Sequence, residues 1–241
     1  MNEIEALKKA INECNKIVIF SGAGLSTNSG IPDFRSANGL YSEKYGNISP
    51  EEIISHSFFM ANPKEFYKFY FDKMVYLNAK PNICHKYFAK LEKEGKVSAV
   101  VTQNIDNLHQ LAGSKNVIEL HGSVFRNYCM KCHKFYTIHD IYNEAFDIPK
   151  CSCGGIIKPD VVLYEEGLDD KSITDAITYI SNADMLIVVG TSLTVYPAAG
   201  FIRYFNGKYL VLLNKSQTPY DNMANIIIHD DVKKVVEELD K

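Results

Sequence analysis

The chain has 241 residues, with 26 lysines and arginines against 29 aspartates and glutamates, for a formal net charge of −3. That length accommodates one α/β domain of ordinary size, or a large and a small one, and the mild negative charge gives no electrostatic case for nucleic acid or an anionic membrane as partner. No apolar run approaches the roughly 20 residues of a membrane span, the N-terminal MNEIEALKKAINE reads as an amphipathic helix rather than a signal peptide, and four of the six cysteines are clustered in pairs, so a cytoplasmic protein that uses those pairs for metal is expected.

Asn2 caps the first helix, Glu5 completes a capping-box pattern, and Ile4, Leu7 and Ile11 share one face. Ile17 to Phe20 reads as a buried parallel strand and runs straight into Gly22-Ala23-Gly24. A strand entering closely spaced glycines brings backbone N–H groups against a pyrophosphate. Thr27 stands where the third glycine of G-x-G-x-x-G belongs, however, and a strand ending in a tight turn also accounts for two glycines. Gly30-Ile31-Pro32-Asp33-Phe34-Arg35 then sets a carboxylate, an aromatic ring and a guanidinium on a Pro-stiffened loop, which is seldom a mere connector. Residues 36–49 read as a long loop, and Ser49-Pro50 as a helix start. From Asn62 to Leu77 the chain is strongly aromatic; the pattern fits a core helix, with the wall of an apolar pocket as the alternative. Pro81 to Glu94 is a further helix, stopped by Gly95.

Val97 to Val101 is a second buried strand, ending in Thr102-Gln103-Asn104-Ile105-Asp106-Asn107. A polar cluster at that end of a strand lies where open α/β sheets bind ligands. A short helix over Asn107–Leu111 leads to a third strand, Val117–Leu120, which ends in His121-Gly122-Ser123. Residues 125–158 break the α/β rhythm. It resumes with strand patterns at Val161–Tyr164, Met185–Val189, Leu210–Leu213 and Ile226–Ile228, and helices over Ser172–Ser181 and Pro197–Phe205. The last helix is capped by Asp230 or Asp231 and turns Val232, Val235, Val236 and Leu239 inward. Alternation of this kind predicts an α/β fold: a doubly wound, Rossmann-like parallel sheet of five or six strands. Its expected extent is 1–35, 79–124 and 159–241, with a smaller module, part helical and part zinc ribbon, at 36–78 and 125–158. Polar clusters recur at the strand ends (GAG, TQNID, LHGS, GTSL, LLN), so one edge of the sheet is ready for a ligand.

Cys129-x-x-Cys132 and Cys151-x-Cys153, eighteen residues apart, have the spacing of a four-thiolate zinc site, with Gly154-Gly155 to make the tight turn after the second pair. His133 and His139 are alternative ligands, and a disulfide is the alternative use of the pairs. A shell closed by four thiolates is structural, since catalytic zinc keeps a position open. Cys14 and Cys84 read as small buried side chains. His121, between Leu120 and Gly122 at the ligand edge, is the candidate general base, with His109 as its rival.

The stretch GAGLSTNSGIPDFR resembles the N-terminal signature of the sirtuins, the NAD-dependent protein-lysine deacylases, and the later motifs match the same family's bacterial-type catalytic core in order over nearly the whole chain. The resemblance implies a role for each matching position. Gly22, Ala23 and Gly24 form the phosphate- and ribose-binding turn, with Ala23 and Gly24 against the pyrophosphate; Thr27 and Asp231 count among the cofactor contacts. Asp33, Phe34 and Arg35 are cofactor-loop residues, Phe34 shielding the ribose carbon once nicotinamide has left. Gln103, Asn104, Ile105 and Asp106 match TQNID, with Asn104 on the nicotinamide ribose and Ile105 and Asp106 on the carboxamide. His121 matches the base. Gly190, Thr191 and Ser192 match a G-[ST]-S segment, and Asn214 the asparagine on the adenosine ribose. Val161, Val162 and Tyr164 flank the acyl-lysine. Sirtuins that prefer acidic acyl chains carry a Tyr-x-x-Arg pair in the acyl-pocket helix; here Tyr67 fits the tyrosine and Tyr70 stands in the arginine's place. One motif departs: where the family commonly has F-G-E, this chain has Tyr164-Glu165-Glu166, which puts a charge beside the substrate channel and leaves peptide preference open.

The reaction so implied consumes NAD as co-substrate. The acyl oxygen attacks the ribose carbon as nicotinamide leaves, His121 takes a proton from a ribose hydroxyl, and the acyl group ends on ADP-ribose. Acetyl is the expected acyl group, with longer apolar chains tolerated. Acyl-lysine proteins are the expected partners, on a monomer, with NAD and structural zinc as cofactors. Three other readings stand beside it. A hydride-transferring dehydrogenase lacks the third glycine and the acidic residue about 20 positions on. A non-enzymatic NAD-binding regulator built on the zinc ribbon lacks a basic stripe, since Lys131, Lys134, Lys150 and Lys158 are offset by Asp140, Glu144 and Asp147. Mono-ADP-ribosyl transfer would use the same site.

Overall fold

The computed structural model describes residues 2–34, 36, 39–40, 48–142 and 146–241; Arg35, Glu144 and most of the loop expected over 36–49 lie outside them. The strands are β1 (Ile17–Ser21), β2 (Val97–Thr102), β3 (Val117–Glu119), β4 (Gly122–Cys129), β5 (Phe135–Thr137), β6 (Ile157–Val161), β7 (Met185–Val189), β8 (Tyr209–Leu213) and β9 (Ile226–Ile228). The helices are α1 (Glu3–Glu13), α2 (Pro50–Ile53), α3 (His56–Ala61), α4 (Pro63–Lys73), α5 (Ile83–Lys93), α6 (Leu108–Ala112), α7 (Ile138–Ile141), α8 (Asp170–Ser181) and α9 (Val232–Leu239).

Six strands make one sheet in the order β3-β2-β1-β7-β8-β9, and every neighbouring pair is parallel. Renumbered within the sheet this is the 3-2-1-4-5-6 order of dinucleotide-binding folds, in which the ligand crevice opens where the order reverses, beside the first strand. β1 shows why these strands read as unbroken apolar runs. Ile17 and Ile19 face a core with Leu7 of α1, Phe88 of α5 and Val235 of α9, while Val18 and Phe20 face a second core with Ala176 and Ile180 of α8 and with Phe201 and Ile202. Successive side chains point to opposite faces, and both faces are covered. Registers pair Ser21 with Thr102 and Val189, and Val189 with Leu213. Four strands therefore end in one row, which brings their polar termini to a single edge.

Helix ends follow the local sequence. Asn2 and Glu5 form a capping box on α1, Asp231 rather than Asp230 caps α9, and the helix expected over Pro81–Glu94 starts after the cap Asn82. The segment after Pro197 is a 3-10 helix, Ala198–Tyr204.

The second sheet is small and antiparallel, in the order β5-β4-β6. Here the sequence expectation needs correcting. The strand placed at Val161–Tyr164 lies earlier, at Ile157–Val161, and pairs with β4. It alternates buried Ile157, Pro159 and Val161 with half-buried Lys158 and Asp160, a period of two that the proline masks in the sequence. One core serves both this sheet and helices α2 to α4, joining Ile53, Phe59, Phe66, Tyr67, Tyr70 and Phe71 to Val124, Ile138, Ile157 and Val161. Its rings meet largely edge to face, as in Phe59–Phe66 at 4.8 Å between centroids and 72°. Arg126 on β4 spans the seam between the two sheets, pairing with Glu119 at the end of β3 and, at 2.7 Å, with Asp160 on β6.

Candidate active site

The glycines after β1 and β7 are there for a close approach of backbone to backbone. Gly24 N–H donates to the Gly190 carbonyl at 2.8 Å, and Gly22 N–H to that of Val189 at 3.1 Å. A Cβ on Gly22 would stand 2.6 Å from that of Thr191, and one on Gly190, whose φ is +62°, would meet Leu25 N at 2.4 Å. The two loops thus form one floor at the crevice. The N–H groups of Gly22 and Gly24 are both engaged in it, whereas that of Ala23, which opens the short turn Ala23–Leu25, is not tied into this floor. Thr27, in the place of the missing glycine, turns its hydroxyl onto the Gly24 carbonyl at 3.0 Å and so stiffens the loop from within.

Asn104 is nearly buried and oriented from two sides. Its Nδ2 donates to the Gly22 carbonyl and to Ser26 Oγ, both at 3.1 Å, and its backbone N–H to Thr102 Oγ1 at 3.1 Å. Both amide hydrogens are used, and Oδ1 remains to accept from a ligand. Ser26 passes its own hydrogen to Asp106 at 2.6 Å, and the other oxygen of Asp106 takes Leu108 N–H at 2.9 Å. Burial raises the Asp106 pKa, with the Ser26 hydrogen bond opposing it. Ser26 is a member of this hydrogen-bond cluster that motif spacing alone does not single out; its partners lie some 80 residues away.

His121 lies in the two-residue step between β3 and β4. Its Nδ1 sits 3.0 Å from the Gln103 carbonyl, which only accepts, so Nδ1 carries the hydrogen and Nε2 keeps its lone pair. Burial lowers the imidazole's pKa, and the Gln103 carbonyl pulls it partly back. Gln103 also donates through Nε2 to Thr191 Oγ1 at 3.1 Å, so one residue ties the histidine to the loop after β7. The rival His109 is fully buried on α6, with Nε2 on Ser21 Oγ at 2.9 Å. It has no path to a substrate.

The remaining positions fall into two groups. Thr191, Ser192 and Asn214 lie at the C-terminal ends of β7 and β8, and the Asn214 amide is clamped on Thr191, accepting from its N–H at 2.9 Å and donating to its carbonyl at 2.6 Å. Asp231 accepts from Lys233 N–H at 2.9 Å and pairs with Lys215 at 3.0 Å. Ile105, Asp33 and Phe34 are half-buried. Val161 is buried and Val162 N–H donates to the His121 carbonyl at 3.1 Å, which sets this strand end against the candidate base, with Tyr164 exposed two residues on. Tyr67 and Tyr70 lie within the small module's core: the Tyr67 hydroxyl donates to the Ile157 carbonyl, and that of Tyr70 has no partner. Glu165 has φ +75° and turns its carboxylate back onto Ser57, taking N–H at 2.8 Å and Oγ–H at 2.9 Å. Its charge is therefore held at the start of α3.

Cys129, Cys132, Cys151 and Cys153 bring their sulfurs within 4.8 Å of one another. Pairs at 3.4 to 3.6 Å are far too long for a disulfide and close to the roughly 3.8 Å between ligands around a tetrahedral Zn–S centre. His133 and His139 stand outside the cluster. Gly154 at φ +82° makes the turn, and a Cβ on Gly155 would press to 2.7 Å from Cys129 Sγ. The Cys153 N–H and then the Tyr136 hydroxyl, 3.1 Å from Cys151 Sγ, hold that thiol down at about 5, ready as a thiolate. Donor set and spacing fit a structural zinc ion.

The Sir2 family model matches residues 22–197. An NAD-dependent protein deacetylase of Clostridium acetobutylicum is 57% identical over 98% of this chain and 98% of its own length. One from Clostridium perfringens is 59% identical over 98% of this chain and 97% of its own. A solved Sir2 variant with a deacetylated p53 peptide and 3'-O-acetyl ADP ribose is similar at a TM-score of 0.90 and 40% identity, covering 98% of this chain and 96% of that one. With crevice, cysteine cluster and sequence all pointing one way over almost the full length, the chain belongs to the Sir2 family, the sirtuins.

Proposed function

We propose that this protein is an NAD-dependent protein-lysine deacetylase, transferring the acetyl group of an acetyl-lysine to ADP-ribose and releasing nicotinamide and free lysine. The observation that carries the reading is a pair of acceptors at the crevice edge. Asn104 Oδ1 and His121 Nε2 are each left available by hydrogen bonds that occupy the same side chain's other polar atom. Fixed acceptors suit a reaction whose difficulty is orientation. Asn104 holds the nicotinamide ribose, Ile105 and Asp106 the carboxamide, and the Gly22–Gly24 turn with Ala23 N–H the pyrophosphate. Thr191, Ser192, Asn214 and Asp231 close the adenosine end; Asp33, Phe34 and Arg35 cover the ribose. His121 Nε2 takes the proton of a ribose hydroxyl, and that oxygen receives the acyl group. Val161, Val162 and Tyr164 seat the lysine. Zinc supplies no chemistry; it holds the small sheet together. The names of the deacetylase relatives and the product-bound Sir2 structure support this reading.

The test is nicotinamide release from NAD with and without an acetyl-lysine peptide. Strong peptide-dependent release, with one acetyl lost per nicotinamide, is expected. NADH absorbance would favour a dehydrogenase, label from NAD on protein an ADP-ribosyltransferase, and no turnover a regulator. Among the described residues no helix is long and apolar enough to cross a membrane. A cytoplasmic monomer acting on proteins, with no affinity for nucleic acid, completes the proposal.

The acyl preference follows from the helix α4. Tyr70 is fully buried and its hydroxyl unpartnered, and Lys68 is exposed and paired with Glu65 at 3.1 Å, on another face. A succinyl carboxylate reaching this wall loses its water and meets no guanidinium. Charge-assisted hydrogen bonds contribute about 1.5–3 kcal/mol, so acetyl is preferred over succinyl by at least about tenfold in kcat/KM. Tyr70→Arg narrows the ratio. Efficient desuccinylation by the unmodified protein would sink the idea.

A further inference from the structure

Beneath the Asn104–Asp106 cluster lies a group of polar side chains that the reaction itself does not use. Ser21, Thr102, His85 and His109 are all at most 2% exposed, at the joint of β1, β2, α5 and α6. Resting on the deacetylase reading above, we propose that His109, with its tautomer set by His85, is a positioning residue for Asn104.

The hydrogen bonds run in one direction as far as Thr102 Oγ1, which accepts from both Ser21 and Asn104. Ser21 Oγ donates to Thr102 Oγ1 at 2.9 Å, so the hydrogen shared with His109 Nε2, also at 2.9 Å, belongs to the imidazole. His109 Nδ1 is then a bare acceptor. On His85 the pattern is reversed: Nδ1 accepts from Asn82 N–H at 3.3 Å, so Nε2 carries the hydrogen. These two atoms, His109 Nδ1 and His85 Nε2, are among the few buried side-chain polar atoms with no partner, and they form a matching acceptor and donor on rings whose centroids lie 4.9 Å apart. A direct contact after a small ring movement, or one bridging water, satisfies both. The line then reads Asn82 N–H, His85, His109, Ser21, Thr102, and at Thr102 Oγ1 it meets the backbone N–H of Asn104, which donates to the same oxygen at 3.1 Å.

Burial keeps both rings neutral, lowering the His85 pKa to about 4 and holding that of His109 well below its usual value. Neutral imidazoles are what a one-way chain of donors requires. Apolar side chains of the same size would pack here without polar groups to satisfy. What the polar set adds is a fixed height for the backbone at Asn104, and hence the aim of Oδ1. Asn82 anchors the other end on the glycine loop, donating through Nδ2 to the Leu25 carbonyl and Ser29 Oγ, both at 2.9 Å. The line therefore references the ribose-holding asparagine to the pyrophosphate-holding loop.

The test uses His109→Leu, His109→Gln, Ser21→Ala and the Ser21→Ala/His109→Leu double variant, with peptide-dependent nicotinamide release measured for each. A misplaced reacting group costs up to about 100-fold. His109→Leu and Ser21→Ala are each expected to lower kcat about 10- to 100-fold with the KM for NAD changed less than about threefold, because the pyrophosphate contacts remain. His109→Gln, whose amide reaches Ser21 with an N–H, recovers most of kcat, and the double variant is no worse than the worse single one. Wild-type kcat in His109→Leu or Ser21→Ala overturns the inference, as does an equal loss in a folded His109→Gln, or losses that multiply in the double variant. If His109→Leu fails to fold, Ser21→Ala, one oxygen smaller, decides alone. Should the unmodified protein release no nicotinamide, the deacetylase reading falls, and this inference with it.

Discussion

In the proposed reaction a single carbonyl readies His121 to act as the base. Gln103 fixes the hydrogen on Nδ1, and burial lowers the pKa more than that hydrogen bond restores it. The neutral form of the proposed base therefore predominates at pH 7, and its protonation falls below the usual 6.5 of a free histidine. The acid limb of kcat/KM against pH is expected below pH 6.5; a limb above it would contradict the burial. Removing the base costs about 100- to 10,000-fold, so His121→Ala is expected to lose deacetylation while NAD still binds, by calorimetry or fluorescence. Near-normal turnover in that variant would discard the assignment. The placement of His121, Asn104 and Asp106 at the ligand edge of the sheet was legible in the sequence because each follows an apolar strand with polar groups, a pattern that packing does not produce. Ser21, Ser26, Thr102 and His85 were not, because their meaning is a partner some 24 to 88 residues away, and nothing local records it. Tyr67 and Tyr70 stood out for a different reason. Their place in the aromatic run is plain, but only packing tells which rings close the core.

At the scale of the element, α3 shows how a departure from a family motif is absorbed. A helix leaves its first four N–H groups without partners. Here Ser55 N–H donates to the Glu52 carbonyl, His56 N–H to the Tyr164 carbonyl, Ser57 N–H to Glu165 and Phe58 N–H to Ser55 Oγ. Glu165 thus replaces a glycine's freedom with a cap. The left-handed backbone costs a non-glycine residue about 1–2 kcal/mol, and a carboxylate at a helix start returns about 0.5–2 kcal/mol. Glu165→Ala loses the cap and keeps the strain, and is expected to destabilise by about 1 kcal/mol or slightly more. Glu165→Gly loses both and stays near neutral. Urea unfolding checks both parts: a glycine variant less stable than the alanine one would show that the backbone strain does not matter, and an alanine variant as stable as the unmodified protein that the cap does not. β6 was the element least legible beforehand, because Pro159 interrupts a period that burial makes obvious. The parallel strands were the most legible, since two covered faces leave no room for polar residues.

For the whole molecule, the division into a parallel-sheet body and a smaller module remains our proposal, supported by the separate core around β4, β6 and α2 to α4. Cys129 and Cys151 belong to that core as well as to the metal cluster. Metal binding at structural sites contributes on the order of 10 kcal/mol. Removing zinc by chelation, or by Cys132→Ala, is expected to abolish nicotinamide release and to expose amides of residues 48–75 and 124–163 to hydrogen exchange, while β1, β2 and β7 stay protected. A metal-free protein with full activity and unchanged protection would refute a structural zinc.

The small sheet enters the chain at Gly122 and leaves at Val161, and these two residues are paired across the ladder. An insertion whose ends already touch asks almost nothing of the fold that carries it, whatever its length. Seen alone, it is the kind of segment that recombination moves freely between proteins. Its apolar face, however, is covered by α2 to α4, which come from a different stretch of sequence, before β2. A chimera that takes only one of the two stretches from a relative strips both of their common interior. The heritable unit here is a discontinuous one, and lineages can exchange it only as a pair.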